Sequence, residues 1–293
     1  MSLNARAWIV GARPKTLPAA LAPVLIGGGL AWSAGAFAAL PFMAALLGAL
    51  GIQVGTNFAN DYSDFVRGAD TDQRLGFPRL TQTGLLTARA VRAAAVAAFG
   101  FAVVMGAYLV ARGGIPIMII GVASILAGIG YTGGPWPFGY HGLGDLFVFV
   151  FFGPVAVAGT VYVQTLQWRS DAVLAGVGVG ALITAILVVN NLRDLTTDRV
   201  AGKRTLAVLI GDRATRWEYI GLLAAGLAVP IWGTATGAWP AEVLSACLAL
   251  AIAIGPLRAV LGHDDPRELN VALGRTANVA GLYGLLFALG CLV

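Results

Sequence analysis

The chain has 293 residues, of which 58% are hydrophobic and only 11% charged, with a formal net charge of +5. Soluble domains carry roughly 25% charged residues, so this composition excludes an ordinary water-soluble enzyme and describes a polytopic membrane protein. Two cysteines without pairing or metal spacing and two isolated histidines also exclude a disulfide scaffold and a zinc or redox-metal centre.

Segments able to cross a bilayer need roughly 20 predominantly apolar residues. Before the first of them, Trp8-Ile9-Val10 is too short for a cleavable signal core, and Arg13 and Lys15 interrupt it, so Gly11-Ala-Arg-Pro-Lys-Thr-Leu17 is expected at the interface. Spans then follow near 17–34 and 38–62. The second closes on Asn57, Asn60, Asp61 and Asp64, with Asp70 and Asp72 beyond. Two more, 90–111 and 115–131, lead to an aromatic, glycine-rich stretch from Tyr131 to Asp145 that includes Tyr140. The spans 143–163 and 172–191 follow, the latter closing on Asn190, Asn191, Asp194 and Asp198. The last three lie near 214–232, 240–260 and 272–292. The expected fold is an all-α integral membrane bundle of about nine transmembrane helices, one polytopic domain over 1–293.

Charge orients this layout. With nine spans, 17 of the 19 basic residues fall on the face that holds the N-terminus, and only Arg112 and Arg169 fall on the other. Cytoplasmic loops carry the excess of Lys and Arg, so the N-terminus and both acidic clusters are expected to face the cytoplasm across the cell membrane.

Carboxylates at a membrane boundary are costly and mark ion or substrate sites. On a helix Asn57, Asp61 and Asp64 stand at i, i+4 and i+7, and Asn190, Asp194 and Asp198 at i, i+4 and i+8, so each set forms a stripe. Four carboxylates gathered at two spans repel unless cations neutralise them. Hard Mg²⁺ prefers such oxygen ligands and completes its shell with phosphate oxygens. Arg67 follows the first cluster, and Lys203 and Arg204 the second, which suits a diphosphate. There is no nucleotide-binding glycine loop, and neither a nucleic acid nor an obligate protein partner is expected. An ion-coupled transporter remains a competing reading, because intramembrane acids also line ion pathways.

Four stretches resemble the UbiA superfamily of intramembrane prenyltransferases: Gly11-Ala-Arg-Pro-Lys-Thr-Leu-Pro18; Asn60-Asp-Tyr-Ser-Asp64 with Gly68-Ala-Asp70; Tyr131-Thr-Gly-Gly-Pro135 through Asp145; and Asn190-Asn-Leu-Arg-Asp194 through Ala207. The resemblance is closest to the branch that prenylates 1,4-dihydroxy-2-naphthoate. It implies a metal set drawn from Asn60, Asp61, Asp64, Asp70, Asp194 and Asp198, in which Gly68 replaces the family's third ligand and Asp70 carries the acid two residues on. It implies Tyr131 and Lys203 at the substrates and Asp64, Asp194 and Asp198 in the chemistry, to which the basic loops and the aromatic stretch add Lys15, Arg67, Tyr140 and Arg204 as substrate contacts and Asp145 as a further acid. The expected reaction is Mg²⁺-dependent transfer from a polyprenyl diphosphate to the naphthoate, with decarboxylation. The hydroxybenzoate branch places Lys or Arg soon after the tyrosine matching Tyr131. This chain has Thr132-Gly-Gly-Pro-Trp136 there, which disfavours 4-hydroxybenzoate and leaves it as the alternative acceptor.

Overall fold

The computed structural model describes residues 3–68, 75–76 and 79–293, and every regular element among them is helical. The first helix, α1 (Leu3–Ala12), ends where Arg13 takes a left-handed conformation (φ 52°) ahead of Pro14. Pro18, which has no N–H to donate, opens α2 (Pro18–Ser33). The two arms, Arg6–Thr16 and Pro18–Ser33, meet at 51°, so the interfacial segment and first span form one bent unit.

Next come α3 (Ala39–Val66) and α4 (Ala88–Gly113), the latter capped by Thr87, whose side chain accepts from Ala90 N at 3.2 Å. Gly114 (φ 70°) and Pro116 stop that helix and start the short α5 (Ile115–Gly130). After the aromatic loop, α6 (Gly144–Val150) continues through a π turn at Phe151–Val155 into α7 (Ala156–Thr165). Then follow α8 (Ser170–Arg193), the short α9 (Leu195–Val200), α10 (Leu206–Ala235), a 3₁₀ stretch (Ala241–Ala253) leading into α11 (Ile254–Gly262), and α12 (Leu269–Gly290).

Each expected span contains a helix. Seven helices are long and apolar enough to traverse a bilayer, or eight when the bent pair is counted as one. Ile115–Gly130 is apolar but has only 16 residues, cut short by Gly114 on one side and the turn at Tyr131 on the other.

The centre of the bundle is α8, whose most apolar stretch is 78% buried, against 17–50% for the six other long helices. It packs on α10, α12 and the π turn, while α3 packs on α4. Burial on all sides explains why α8 is apolar around its whole circumference until it reaches Asn190. Glycine governs the closest approach. A Cβ at Gly176 would lie 2.5 Å from Pro154 Cα, and one at Gly180 would lie 2.9 Å from Gly153 Cα. The π turn can therefore nest on α8 only because these positions lack side chains. Gly176→Val is expected to destabilise the bundle by about 1–3 kcal/mol, the usual cost of overpacking a core, seen as a lower thermal midpoint in detergent.

Arg112 and Arg169 sit together at one end. Arg112 donates to the carbonyls of Val163 (2.5 Å) and Gln164 (3.1 Å), and Arg169 reaches Leu30 O at 3.4 Å and Asp171 at 2.6 Å. Both close helix C-termini, satisfying carbonyls that helix ends leave open. The acidic clusters lie at the opposite ends of α3 and α8.

Candidate active site

One cavity of about 590 Å³ brings the two clusters together. Asn60 and Asp64 come from α3, and Asn190, Asn191 and Asp194 from the end of α8. Asp198 on α9 and Lys203 in the following turn complete its polar end, with Tyr131 and Tyr140 from the aromatic loop.

Asp64 is the most heavily engaged acid, with only 1% of its surface exposed. It accepts from the Tyr140 hydroxyl at Oδ1 and from Arg79 Nη2 at Oδ2. Lys203 Nζ lies 3.9 Å from Asp64 Oδ2 and 3.8 Å from Asp198 Oδ1, so one ammonium joins the two halves of the site. The same ammonium stands 4.8 Å above the Tyr140 ring. In the second half, Arg193 is fully buried and forks onto Asp194, with Nε to Oδ1 at 2.8 Å and Nη2 to Oδ2 at 2.5 Å. It also donates to Asn190 Oδ1 (2.8 Å) and to Asn270 Oδ1 on α12 (3.1 Å). The local sequence permits this because Asp194 terminates α8 and its side chain folds back beside its neighbour.

Several expected residues have other places. Asp61 does not line the cavity. Its oxygens accept from Leu80 N (2.9 Å), Thr81 N (3.1 Å) and Thr81 Oγ1 (2.7 Å), which commits both of them to the returning loop. Leu80, fully buried in the small core with Ala7, Phe58, Val91 and Ala95, pins the same loop, and the next residue back, Arg79, reaches Asp64. Arg67 holds the aromatic loop, donating to Thr132 O at 3.1 Å and to Gly134 O. Arg204 is exposed, and its backbone N–H donates to Tyr140 O at 2.9 Å. Lys15 lies in the turn between α1 and α2, beside Gly274 of α12 and outside the cavity lining. Asp145 is 6% exposed at the start of α6, also outside the lining, and its Oδ2 has no hydrogen-bond partner among the described residues. Asp70 falls outside the described residues.

Sequence reasoning missed Arg79 and Arg193 as the direct partners of the acids. A buried arginine beside a carboxylate reads, in one dimension, as one more orientation charge.

Beyond the polar end the cavity turns apolar. Phe138 stacks on Phe147 (ring centroids 4.0 Å apart), Tyr131 meets Phe138 edge-on at 5.6 Å, and Phe151 continues the ladder, all four lining the space. Farther along, small residues such as Ala102, Gly106 and Gly121 leave room against Ile117. Trp136, by contrast, is 57% exposed and stacks on His141 at the surface.

Among the described residues no three His, Cys, Asp or Glu side chains converge to hold a metal alone. The donor set around the cavity is all oxygen: the carboxylates of Asp64, Asp194 and Asp198 and the amide of Asn60. That suits a hard cation which shares its shell with an anionic ligand and needs no complete protein cage. Asn60 is itself set by Thr132, whose hydroxyl donates to Asn60 Oδ1 at 2.8 Å.

An acid-and-base mouth joined to an aromatic and then aliphatic arm, inside a membrane bundle, defines an intramembrane site for an amphiphile with an anionic head. Residues 20–282 match the UbiA prenyltransferase family, and the chain belongs to it. It is 43% identical to the 1,4-dihydroxy-2-naphthoate octaprenyltransferase of Mycobacterium tuberculosis over 96% of this chain and 94% of that protein. It is 36% identical to the Escherichia coli protein of the same name, over 97% and 94%. A UbiA homolog from Archaeoglobus fulgidus bound to DMAPP and Mg²⁺ has the same fold, with a TM-score of 0.63 at 14% identity over 96% of this chain and 98% of that one. Family membership makes the chain an aromatic prenyltransferase embedded in a membrane and sets aside the transporter reading.

Proposed function

We propose that this enzyme transfers a polyprenyl group from its diphosphate to 1,4-dihydroxy-2-naphthoate, with loss of carbon dioxide and diphosphate, giving a demethylmenaquinol, the hydroquinone form of demethylmenaquinone. The observation that carries the reading is the convergence of Asn60, Asp64, Asp194 and Asp198 on one cavity whose other arm is aromatic and apolar. The names of relatives at 43% and 36% identity support the acceptor, and the Mg²⁺ and DMAPP in the archaeal homolog support the ion. Asn60, Asp64, Asp194 and Asp198 would hold Mg²⁺. When bound, the ion neutralises the charge that grows on a departing diphosphate.

The chain's own groups do the rest. Lys203, between Asp64 and Asp198, is placed to pair with the same diphosphate, and Arg79 shares the Oδ2 atom of Asp64 with it. Tyr140 fixes the Asp64 carboxylate through its hydroxyl. The ladder of Tyr131, Phe138, Phe147 and Phe151 faces the allylic end with aromatic π systems and excludes water from a cationic carbon. The electron-rich naphthoate ring then attacks that carbon. Asp61 and Arg67 belong to the supporting structure, holding the loops that carry Arg79 and Thr132.

In this reading the chain makes nine passes, counting the bent pair and α5, with its N-terminus and site on the cytoplasmic side of the cell membrane. Seventeen of the 19 basic residues support that orientation. The long prenyl tail extends between helices into lipid.

Purified protein in detergent, given Mg²⁺, a polyprenyl diphosphate and 1,4-dihydroxy-2-naphthoate, is expected to yield the demethylmenaquinol, detected by mass spectrometry as such or, after oxidation in air, as demethylmenaquinone. EDTA is expected to abolish the product and excess Mg²⁺ to restore it. Product formed only from 4-hydroxybenzoate would overturn the acceptor assignment, and full activity in EDTA would overturn the ion.

A further inference from the structure

Along α3, Gln53, Asn57, Asn60 and Asp64 stand at i, i+4, i+7 and i+11 and all line the cavity. The proposed chemistry uses the last two. Gln53 (8% exposed) and Asn57 (5%) lie one to three turns farther into the bundle, where polar side chains are costly unless they act on something.

Their hydrogen bonds settle which way each amide points. Thr16 Oγ1 spends its one proton on Arg13 O (3.0 Å), so toward α3 it can only accept. Gln53 Nε2 donates to it at 3.2 Å, and Asn57 Nδ2 donates to Ala12 O at 3.0 Å, a carbonyl that also can only accept. Both NH₂ groups are thereby turned to the α1–α2 elbow. Both amide oxygens are left on the other side, without a partner among the described residues and facing the space that the two residues line. Asn60 differs, because its oxygen accepts from Thr132 and belongs to the set proposed for the cation.

Two acceptors with no hydrogen to offer select a ligand that donates. Neither a diphosphate nor a hydrocarbon tail does so; phenolic hydroxyls do. The two positions are one helical turn apart, roughly 6 Å of rise, a spacing comparable to that of para oxygens on one aromatic ring. We propose that Gln53 and Asn57 form the subsite that receives the hydroxyls of a 1,4-dihydroxyaromatic acceptor, and so set the enzyme's preference for a diol over a monohydroxy acid. This rests on the acceptor reading given above. Accepting those hydrogen bonds also pushes electron density from the hydroxyls into the ring that must act as nucleophile. A site built to bond a substrate hydroxyl discriminates against the analogue lacking it, because its own polar groups are then left unpaired.

The test is the ratio of kcat/KM for 1,4-dihydroxy-2-naphthoate to that for 1-hydroxy-2-naphthoate, in the wild type, Gln53→Met and Asn57→Leu. Comparing ratios cancels the intrinsic difference in ring reactivity. The substitution that removes the acceptor of the 4-hydroxyl is expected to lower the ratio about three- to tenfold, the worth of one neutral hydrogen bond, and the other to lower kcat/KM for both naphthoates alike by a similar factor, with the KM for prenyl diphosphate and the Mg²⁺ dependence unchanged. A ratio unchanged in both variants overturns the inference, and so does a shifted Mg²⁺ midpoint, which would make these oxygens ion ligands. Should the variants fail to fold, binding of the two naphthoates to wild-type protein by calorimetry decides, and equal affinities overturn it. A wild type that prenylates another aromatic acid but not the diol removes both this inference and the function beneath it.

Discussion

Asp64→Asn is expected to reduce prenyl transfer by about 10²–10³-fold, the scale of losing one charge-stabilising group at a reacting centre. The carboxylate is where the two halves of the site meet: Tyr140, Arg79 and Lys203 all address it. Asparagine keeps its shape and one acceptor oxygen but removes the charge that balances a bound cation and orders Lys203. Asp198→Asn should behave alike, since Lys203 spans to it at 3.8 Å and its side chain, 13% exposed, is less deeply committed to the fold. The comparison that gives meaning to both is Asp61→Asn, three residues away. Its oxygens hold Leu80 and Thr81, so it should leave the Mg²⁺ midpoint unchanged while loosening the loop that carries Arg79. Initial rates at saturating substrates, an Mg²⁺ titration and a thermal melt on each variant separate these cases. If Asp64→Asn retains a tenth or more of wild-type turnover, the cation site must be built from other groups.

The distinction between Asp61 and Asp64 shows how far the sequence could be read. Helical spacing grouped Asn57, Asp61 and Asp64, and the apolar runs placed them at a span's end, so the site's position and the helices carrying it were legible. Which acid faces the cavity was not. Positions 61 and 64 differ by about 60° around the helix, and the choice between them is made by residues 79–81, which return to the helix and occupy Asp61. Tyr140 and Lys203 were recognisable as site residues because each lies within a few residues of a motif. Arg67 was equally close, but its reach to Thr132 and Gly134 depends on a loop more than 60 residues downstream. Among the spans, α5 was legible to within a residue, the expected 115–131 against Ile115–Gly130, because Gly114, Pro116 and the turn at Tyr131 mark both of its ends in the sequence. The orientation of the Gln53 and Asn57 amides follows from a single threonine proton in the preceding elbow, and no periodicity carries that information.

Arg193→Met is expected to destabilise the folded protein by about 3–5 kcal/mol, the cost of stripping the partner from a buried charge. The side chains of Arg193 and Asp194 are 1% and 6% exposed, and the guanidinium satisfies Asp194, Asn190 and Asn270 together. Asn270 in turn donates to Leu75 O at 3.0 Å, so the fork ties α8 to α12 and to the stretch following the first cluster. Methionine fills most of the volume and leaves the Asp194 carboxylate uncompensated. Arg193→Lys keeps the charge but loses the planar fork, because one ammonium cannot reproduce the two parallel bonds to Asp194. It should therefore fold better than the methionine variant while still binding Mg²⁺ poorly, since Asp194 is no longer held in place. The double variant Arg193→Met with Asp194→Asn removes the orphaned charge along with its partner. It should recover part of the lost stability and none of the activity, and the coupling read from the four melts gives the strength of the pair in place. A methionine variant that melts within about 1 kcal/mol of wild type would mean that water reaches Asp194 without its arginine, in which case the second cluster would be free to meet its cation without a resident counter-charge.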